Sequence, residues 1–398
     1  MRRAFFRLLI CIVAFLICAC AGTAIGRFVL NKQPPALYDM SRLDELKKKG
    51  VYDTEVSRFL KQADKMAAKE PVSIMDRNIT FAPDPHYFCS ISRYSWPSEN
   101  DPNIYVIRDG MSNPELKDYN RPNIEELATR LKSFSVAYYI THDEKYYDAF
   151  CKQLESWFLD DKTYMLPSME YAQVLPGKNE NRSAANGLLE LNHFTPAIES
   201  IYLLQYVREL NPKTAERIQI WFSDMLKWTL NDKRWESIKK SPNNIVSSVY
   251  VTLLEMARFT NNDRIADSLS REFTEMVINS QIDEEGKQPA ELRRVAGFGY
   301  SVGNLCHVID CCLIMEQAGI HYYKENQKKI DSAFEFLLQF VGNQEAFPYS
   351  QKSNWEGYEQ KLERNVSRIR RLSSNNSRVE RLSKSIILEH ESISNYIY

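Results

Sequence analysis

With 398 residues, 44% of them hydrophobic, the chain is long enough to bury one large core without disulfide or metal staples. Its 51 Lys and Arg against 52 Asp and Glu leave a net charge of -1, which excludes a global field for nucleic acid or for an anionic membrane surface. An acidic ligand would have to be met by local cations.

The first predicted element is a leader. Met1-Arg2-Arg3 and Arg7 make a basic start, and Leu8 to Ala21 is an apolar run of signal-peptide length, short for a membrane span. It closes on Leu16-Ile17-Cys18-Ala19-Cys20, a loose bacterial lipobox in which Cys20 would become the lipidated first residue. An uncleaved signal anchor and a soluble periplasmic product are the alternatives. The expectation is export, to the periplasm or to the outer membrane as a bacterial lipoprotein, with membrane contact only through the leader or its lipid. A linker follows over 22–39.

Beyond it the apolar spacing predicts helices rather than strands, over 123–140, 143–158, 195–210, 213–230, 246–259, 262–279, 301–317 and 326–341. They come in consecutive pairs, each able to bury its apolar stripe against the next. The expected fold is therefore all-α, an α/α toroid or incomplete barrel over 40–345. No fixed-length repeat accompanies the pairs. Residues 80–122, rich in Pro, Asn, Asp, Tyr and Ser, form a loop too long to be an idle connection, and such loops carry function. From 346 onward the chain turns charged and is read as a tail, helical or partly disordered.

Outside the leader stand Cys89, Cys151, Cys306, Cys311 and Cys312, an odd number that argues against a disulfide framework. Cys311-Cys312 fall in an apolar helix pattern, as buried thiols do. There is no CxxC and no HExxH, so neither a metal nor another cofactor is expected. His86, His142, His307 and His321 make no metal-spaced pair and are read as structural or surface residues. Trp157, Trp221 and Trp228 lie in amphipathic patterns and are assigned to the core, whereas Tyr94 and Trp96, in the polar loop, are the better sugar-stacking candidates.

The densest chemistry runs from Asp283 to Asn304. Gln288-Pro289-Ala290-Glu291-Leu292-Arg293-Arg294 is followed by Phe298-Gly299-Tyr300-Ser301 and Asn304-Leu305, which brings an amide, two Arg and a Tyr close together. This stretch resembles the alginate-lyase family pattern "DGxQPxELxRT", then an aromatic residue, "YS" and "NL", with Arg294 and Tyr300 on the family's Arg and Tyr. Upstream, Tyr94-Ser95-Trp96-Pro97, and Arg108-Asp109-Gly110 with Asn113-Pro114-Glu115, resemble its "YWWP" and "RRDGxxNPE". Tyr171-Ala172-Gln173 with Pro176-Gly177 matches its "YAQxxPG". The matched segments run in the family's order from about 80 to 325.

The resemblance implies an α/α toroid that holds an acidic polysaccharide and cleaves a uronic-acid polymer by β-elimination. That reaction removes the proton at C5 beside a carboxylate and expels the oxygen at C4, so it needs a group to neutralise the carboxylate, a base and an acid. By resemblance Tyr300 carries the proton chemistry, and Asn243, Asn244 and Arg294 hold or neutralise the carboxylate. Gln288 assists, while Tyr94, Trp96 and Arg108 line neighbouring subsites. One departure matters: Asn243-Asn244-Ile245 stands where the family has "NNH", and Ile cannot move a proton. Three readings follow. Tyr300 serves as both base and acid, or His193 reaches the cleft as a substitute base, or the protein binds glycan without cleaving it.

Overall fold

A computed structural model describes residues 32–372 apart from Asp109 and Ser353, together with Val379. The leader with Cys20, and most of the tail past 372, lie outside the described residues. In chain order the helices are α1 (Met40–Lys49), α2 (Thr54–Ala67), α3 (Arg121–Thr141), α4 (Glu144–Leu154), α5 (Phe194–Val207), α6 (Pro212–Asn231), α7 (Lys233–Ile238), α8 (Asn244–Phe259), α9 (Asp263–Phe273), α10 (Pro289–Leu292), α11 (Gly297–Gln317), α12 (Tyr322–Leu338) and α13 (Trp355–Ile369). All eight predicted helices are present. The turns that open them follow local chemistry: the Asp53 carboxylate accepts from the N–H groups of Glu55 and Val56 to start α2, and Asn211 caps α6 ahead of Pro212.

Four of these helices, α3, α5, α8 and α11, pack in series as an inner layer. Their composition requires it. Every residue of α8 from Val246 to Phe259 is buried, so the helix has no face to give to water. Helix α11 is apolar and long enough to cross a membrane by composition, with mean hydropathy 1.3, but 78% of that stretch is buried inside the protein, which makes it a core helix. The outer helices are two-faced. Helix α9 buries Ala266, Leu269 and Phe273 and turns Asp263, Asp267 and Arg271 outward. Helix α4 packs on α3, α9 and α6 on α8, and α12 on α11. The result is the all-α, α/α toroid that the pairing predicts.

Aromatic side chains fill the space between layers. Phe158, Phe194, Trp221 and Phe222 meet with ring centroids 4.8–6.3 Å apart, mostly edge to face. Trp157 and Trp221 are buried, as assigned from their spacing, and Trp228 is half-buried. Cys89, Cys151, Cys306, Cys311 and Cys312 are all free thiols. Helix α13, in the region read as a charged tail, buries Leu362, Val366 and Ile369 and packs on α11.

The long loop carries short strands. β1 (Cys89–Ile91) pairs in parallel with β4 (Tyr171–Val174), and β2 (Ser95–Pro97) pairs antiparallel with β3 (Tyr105–Ile107), with Trp96 opposite Val106. These strands raise a rim over one end of the inner helices.

A polar latch ties the first described segment to the inner layer. The Glu199 carboxylate, fully buried on α5, accepts the N–H groups of Ala36 and Leu37 at 2.9 and 2.6 Å. Arg258 of α8 pairs with Glu199 at 3.4 Å and with Glu255 at 3.2 Å, and donates to the Pro34 carbonyl. Burial, with the neighbouring Glu199, pushes the Glu255 carboxyl well up against the pull of Arg258. Arg371, just past α13, donates to the carbonyls of Ala36 and Leu37. Removing one partner of a buried pair leaves the other charge uncompensated. Glu199→Ala is therefore expected to lower stability by about 3–5 kcal/mol in urea unfolding, while Glu209→Ala, an exposed carboxylate beside Lys32, changes it by less than about 0.5 kcal/mol. Equal effects would show that the latch contributes nothing.

Candidate active site

The segment Gln288–Arg294 folds as one helical turn, α10, and its residues three apart each fasten a different part of the site. Gln288 is buried: its Nε2 donates to the Ser301 carbonyl at 3.1 Å and its Oε1 accepts from Asn304 at 2.8 Å. Both ends of its amide thus bind α11, whereas the resemblance implies a contact with substrate. It positions α11 instead. Glu291 accepts the backbone N–H of Asn244 at 2.5 Å, which places a carboxylate at the positive end of α8. Burial raises its carboxyl, against that hydrogen bond and Arg294. Arg294 stacks its guanidinium over the Tyr300 ring, 3.8 Å from the centroid, with Glu291 3.9 Å away.

Tyr300 lies in the first turn of α11, and Gly303, Asn304 and His307 follow on the same face of that helix. A Cβ built on Gly303 meets nothing within 4 Å, so the helix surface between Tyr300 and His307 is open. Glycine inside a helix costs about 1 kcal/mol relative to alanine, and no packing contact calls for it here.

Beside this face is a cleft of about 530 Å³ between the rim and the starts of α5 and α8. Asn244, Ile245, His193 and His307 line it, with Tyr94 and Arg93 on the rim. Asn243 is adjacent but spends its side chain capping α8, accepting the Ile245 N–H at 3.2 Å. Trp96 and Arg108 sit on the β2–β3 hairpin outside the cleft lining; the indole N–H donates to the Met111 carbonyl at 2.8 Å, and Arg108 lies 5.8 Å from the Trp96 ring and 3.7 Å from Glu99. Arg294 and Tyr300 likewise flank the cleft rather than line it.

Several lining groups are not among the candidate site residues of the sequence. Gln173, within β4, holds a left-handed backbone with φ 48°, a conformation costing roughly 1–3 kcal/mol for a residue with a side chain. Its N–H is taken by Ser90 Oγ at 2.8 Å. Glu190 is buried in the cleft wall, 3.1 Å from Arg121 and 3.3 Å from His193 Nε2. Burial alone would raise its carboxyl, but the hydrogen bond from His193 and the charge of Arg121 outweigh it and hold the group below the usual carboxylate range. Arg93 is exposed and gives its Nε to Ser112 at 2.9 Å, leaving the rest of its guanidinium for an anion.

His307, expected as a structural or surface residue, faces the cleft from α11. Its Nδ1 is 3.2 Å from Ser247 Oγ, which is 2.5 Å from Asn304 Oδ1. Burial lowers the imidazole to about 4; Asp310 and the Asn244 carbonyl oppose the shift and Lys361 adds to it. The ring is neutral at ordinary pH. The available signal was its spacing of seven from Tyr300, two helical turns on the same face. Among the described residues no group of three His, Cys, Asp or Glu is placed to hold a metal ion.

The alginate lyase family profile matches residues 73–347. Among solved structures the chain is similar to an alginate lyase from Bacteroides ovatus, with 29% identity, a TM-score of 0.79, and coverage of 90% of this chain and 96% of that one. Alginate lyase A1-III from Sphingomonas species A1 shares the fold at 14% identity and a TM-score of 0.51, over 90% and 93% of the two chains. A histidine-to-alanine variant of A1-III complexed with a tetrasaccharide aligns at 15% identity and a TM-score of 0.53, over 84% and 88%. No curated protein matches the chain.

The Glu190 shift has a measurable sign. Its folded pKa lies below the unfolded value of about 4.3, so its stabilisation is present above that pH and is lost as pH falls through the folded value. Wild-type stability is therefore expected to fall toward that of Glu190→Gln as pH drops below about 4.3, read by chemical denaturation of both proteins over a pH series. A constant difference between them would remove the charged Glu190 from the account.

Proposed function

The chain belongs to the alginate lyase family, and on that premise we propose that it cleaves a uronic-acid-containing, alginate-like polysaccharide by β-elimination. The observation that carries this reading is the guanidinium of Arg294 lying 3.8 Å over the Tyr300 ring. A cation there is fixed beside the phenol, where it can stabilise negative charge that builds up on the reacting groups in the transition state. Tyr300 protonates the oxygen that leaves C4, and Arg294 with Asn244 neutralises the carboxylate beside C5. The tetrasaccharide held by A1-III supports an oligosaccharide as the occupant of the cleft, and Arg93 and Tyr94 on the rim suit an acidic sugar. The leader would carry this activity outside the cytoplasm.

Ile245 lines the cleft and carries no titratable group, so the C5 proton must pass to another residue. That same substitution is what favours the second reading, a protein that binds the polymer without cutting it. The test is the near-ultraviolet absorbance of the unsaturated uronate end, with the leaderless protein on a panel of uronic-acid polymers. Wild type is expected to form product, Tyr300→Phe to lose roughly 10²–10⁴-fold in turnover, and Arg294→Ala to lose roughly 10–100-fold in kcat/KM, the worth of one charge-assisted hydrogen bond. Binding to a polymer with no product from wild type would establish the silent binder instead.

A further inference from the structure

The polar groups between α8 and α11 fix the state of one cleft imidazole. Gln281 Nε2 donates to the carbonyls of Asn243 and Met276, and Gln288 Nε2 to that of Ser301. Both glutamines therefore turn Oε1 to Asn304, whose Nδ2 donates to them at 2.9 and 2.8 Å. Both hydrogens of that amide are spent, so Asn304 Oδ1 must be the atom facing Ser247, an acceptor 2.5 Å from the hydroxyl. A serine has one hydroxyl hydrogen. The other neighbour of that hydroxyl, the Asn244 carbonyl at 3.1 Å, is also an acceptor, so whichever of the two takes the hydrogen, Ser247 Oγ is left as an acceptor toward His307 Nδ1 at 3.2 Å. Nδ1 must carry the ring proton, and Nε2 is the nitrogen with the free lone pair.

The position of that lone pair has a use. His307 comes from α11 into the cleft beside Asn244 and Ile245, where the resemblance leads one to expect a histidine from α8. Tyr300 lies two turns, roughly 10 Å, earlier along the helix axis, with the open surface at Gly303 between them. The other cleft imidazole, His193, has its Nε2 3.3 Å from the Glu190 carboxylate, so that nitrogen is turned to the buried cleft wall.

We propose that His307 is the base that takes the C5 proton through Nε2, with Tyr300 as the acid on the far side of the sugar. This rests on the lyase reading above. In the step the C5–H bond breaks, its electron pair becomes the C4–C5 double bond, and the C4–O bond leaves with its electrons on oxygen. That oxygen takes the Tyr300 proton, giving a free hydroxyl on one product and an unsaturated uronate on the other. Transfer of the proton from the imidazolium to the tyrosinate through water restores both groups with no net gain or loss. Gln281, Gln288, Asn304 and Ser247 are positioning residues that hold the tautomer.

Two measurements test this. In ¹⁵N NMR of histidine-labelled protein at neutral pH, His307 is expected to be protonated at Nδ1, and Ser247→Ala to shift it toward the ordinary Nε2–H tautomer. An Nε2–H ring in wild type overturns the proposal. In the unsaturated-uronate assay, His307→Gln is expected to lose roughly 10²–10⁴-fold in kcat while keeping polymer affinity in calorimetry and its melting temperature. Ser247→Ala should lose less, in kcat rather than in KM. Product from wild type and equally from His307→Gln overturns the role of His307 and leaves Tyr300 as both base and acid. No product from wild type on any polymer overturns the lyase reading and this one with it.

Discussion

The contact on which the site depends is the buried amide of Asn304. A primary amide far from water must place every hydrogen and lone pair or lose about 1–3 kcal/mol for each group left unmade. Here Gln281, Gln288 and Ser247 satisfy it together, and each is in turn oriented by backbone carbonyls or by its own helix. The requirement ties the loop around 281–288, the start of α8 and the middle of α11 into one rigid unit. Tyr300 and His307 stand on either side of Asn304 on the same helix, so their separation is set by α-helical geometry rather than by loops.

Much of the fold could be read from residue patterns because burial leaves periodic marks. Helix α9, with Ala266, Leu269 and Phe273 on one face, shows the spacing outright. The inner helices are harder to place where they are buried on nearly every side; α8 and α11 could be recognised as helices but not as neighbours. Boundaries moved by a few residues, as where the segment predicted over 326–341 is helical from Tyr322 to Leu338, because end turns depend on caps rather than on periodicity.

The site was legible only where chemistry comes as a linear motif. Gln288, Glu291, Arg294 and Tyr300 belong to one such stretch, yet a sequence cannot tell an amide aimed at a ligand from one aimed at a neighbouring helix. Gln288 is the second kind. His307, Gln173, Glu190 and Arg121 come from four separate segments, of which only that of Gln173 carries a motif, and they meet only through the packing of α11, β4, the turn before α5 and α3. His193 could be named as one of three answers to the missing base, from its place at the start of a helix, but the carboxylate behind it could not.

The latch at Glu199 has a topological meaning. Arg371, at the far end of the described chain, grips the carbonyls of the same Ala36 and Leu37 whose N–H groups Glu199 holds. The order of helices is thus closed by hydrogen bonds where the backbone itself is open. Such a chain is close to circular: joining residue 372 to residue 32 by a short peptide and opening a surface turn elsewhere would change the linear order of the gene while leaving every inner helix against the same partners. Mechanically, a pull at residue 32 passes through the N–H groups of Ala36 and Leu37 straight to a carboxylate carried by α5, so that the inner layer itself resists it.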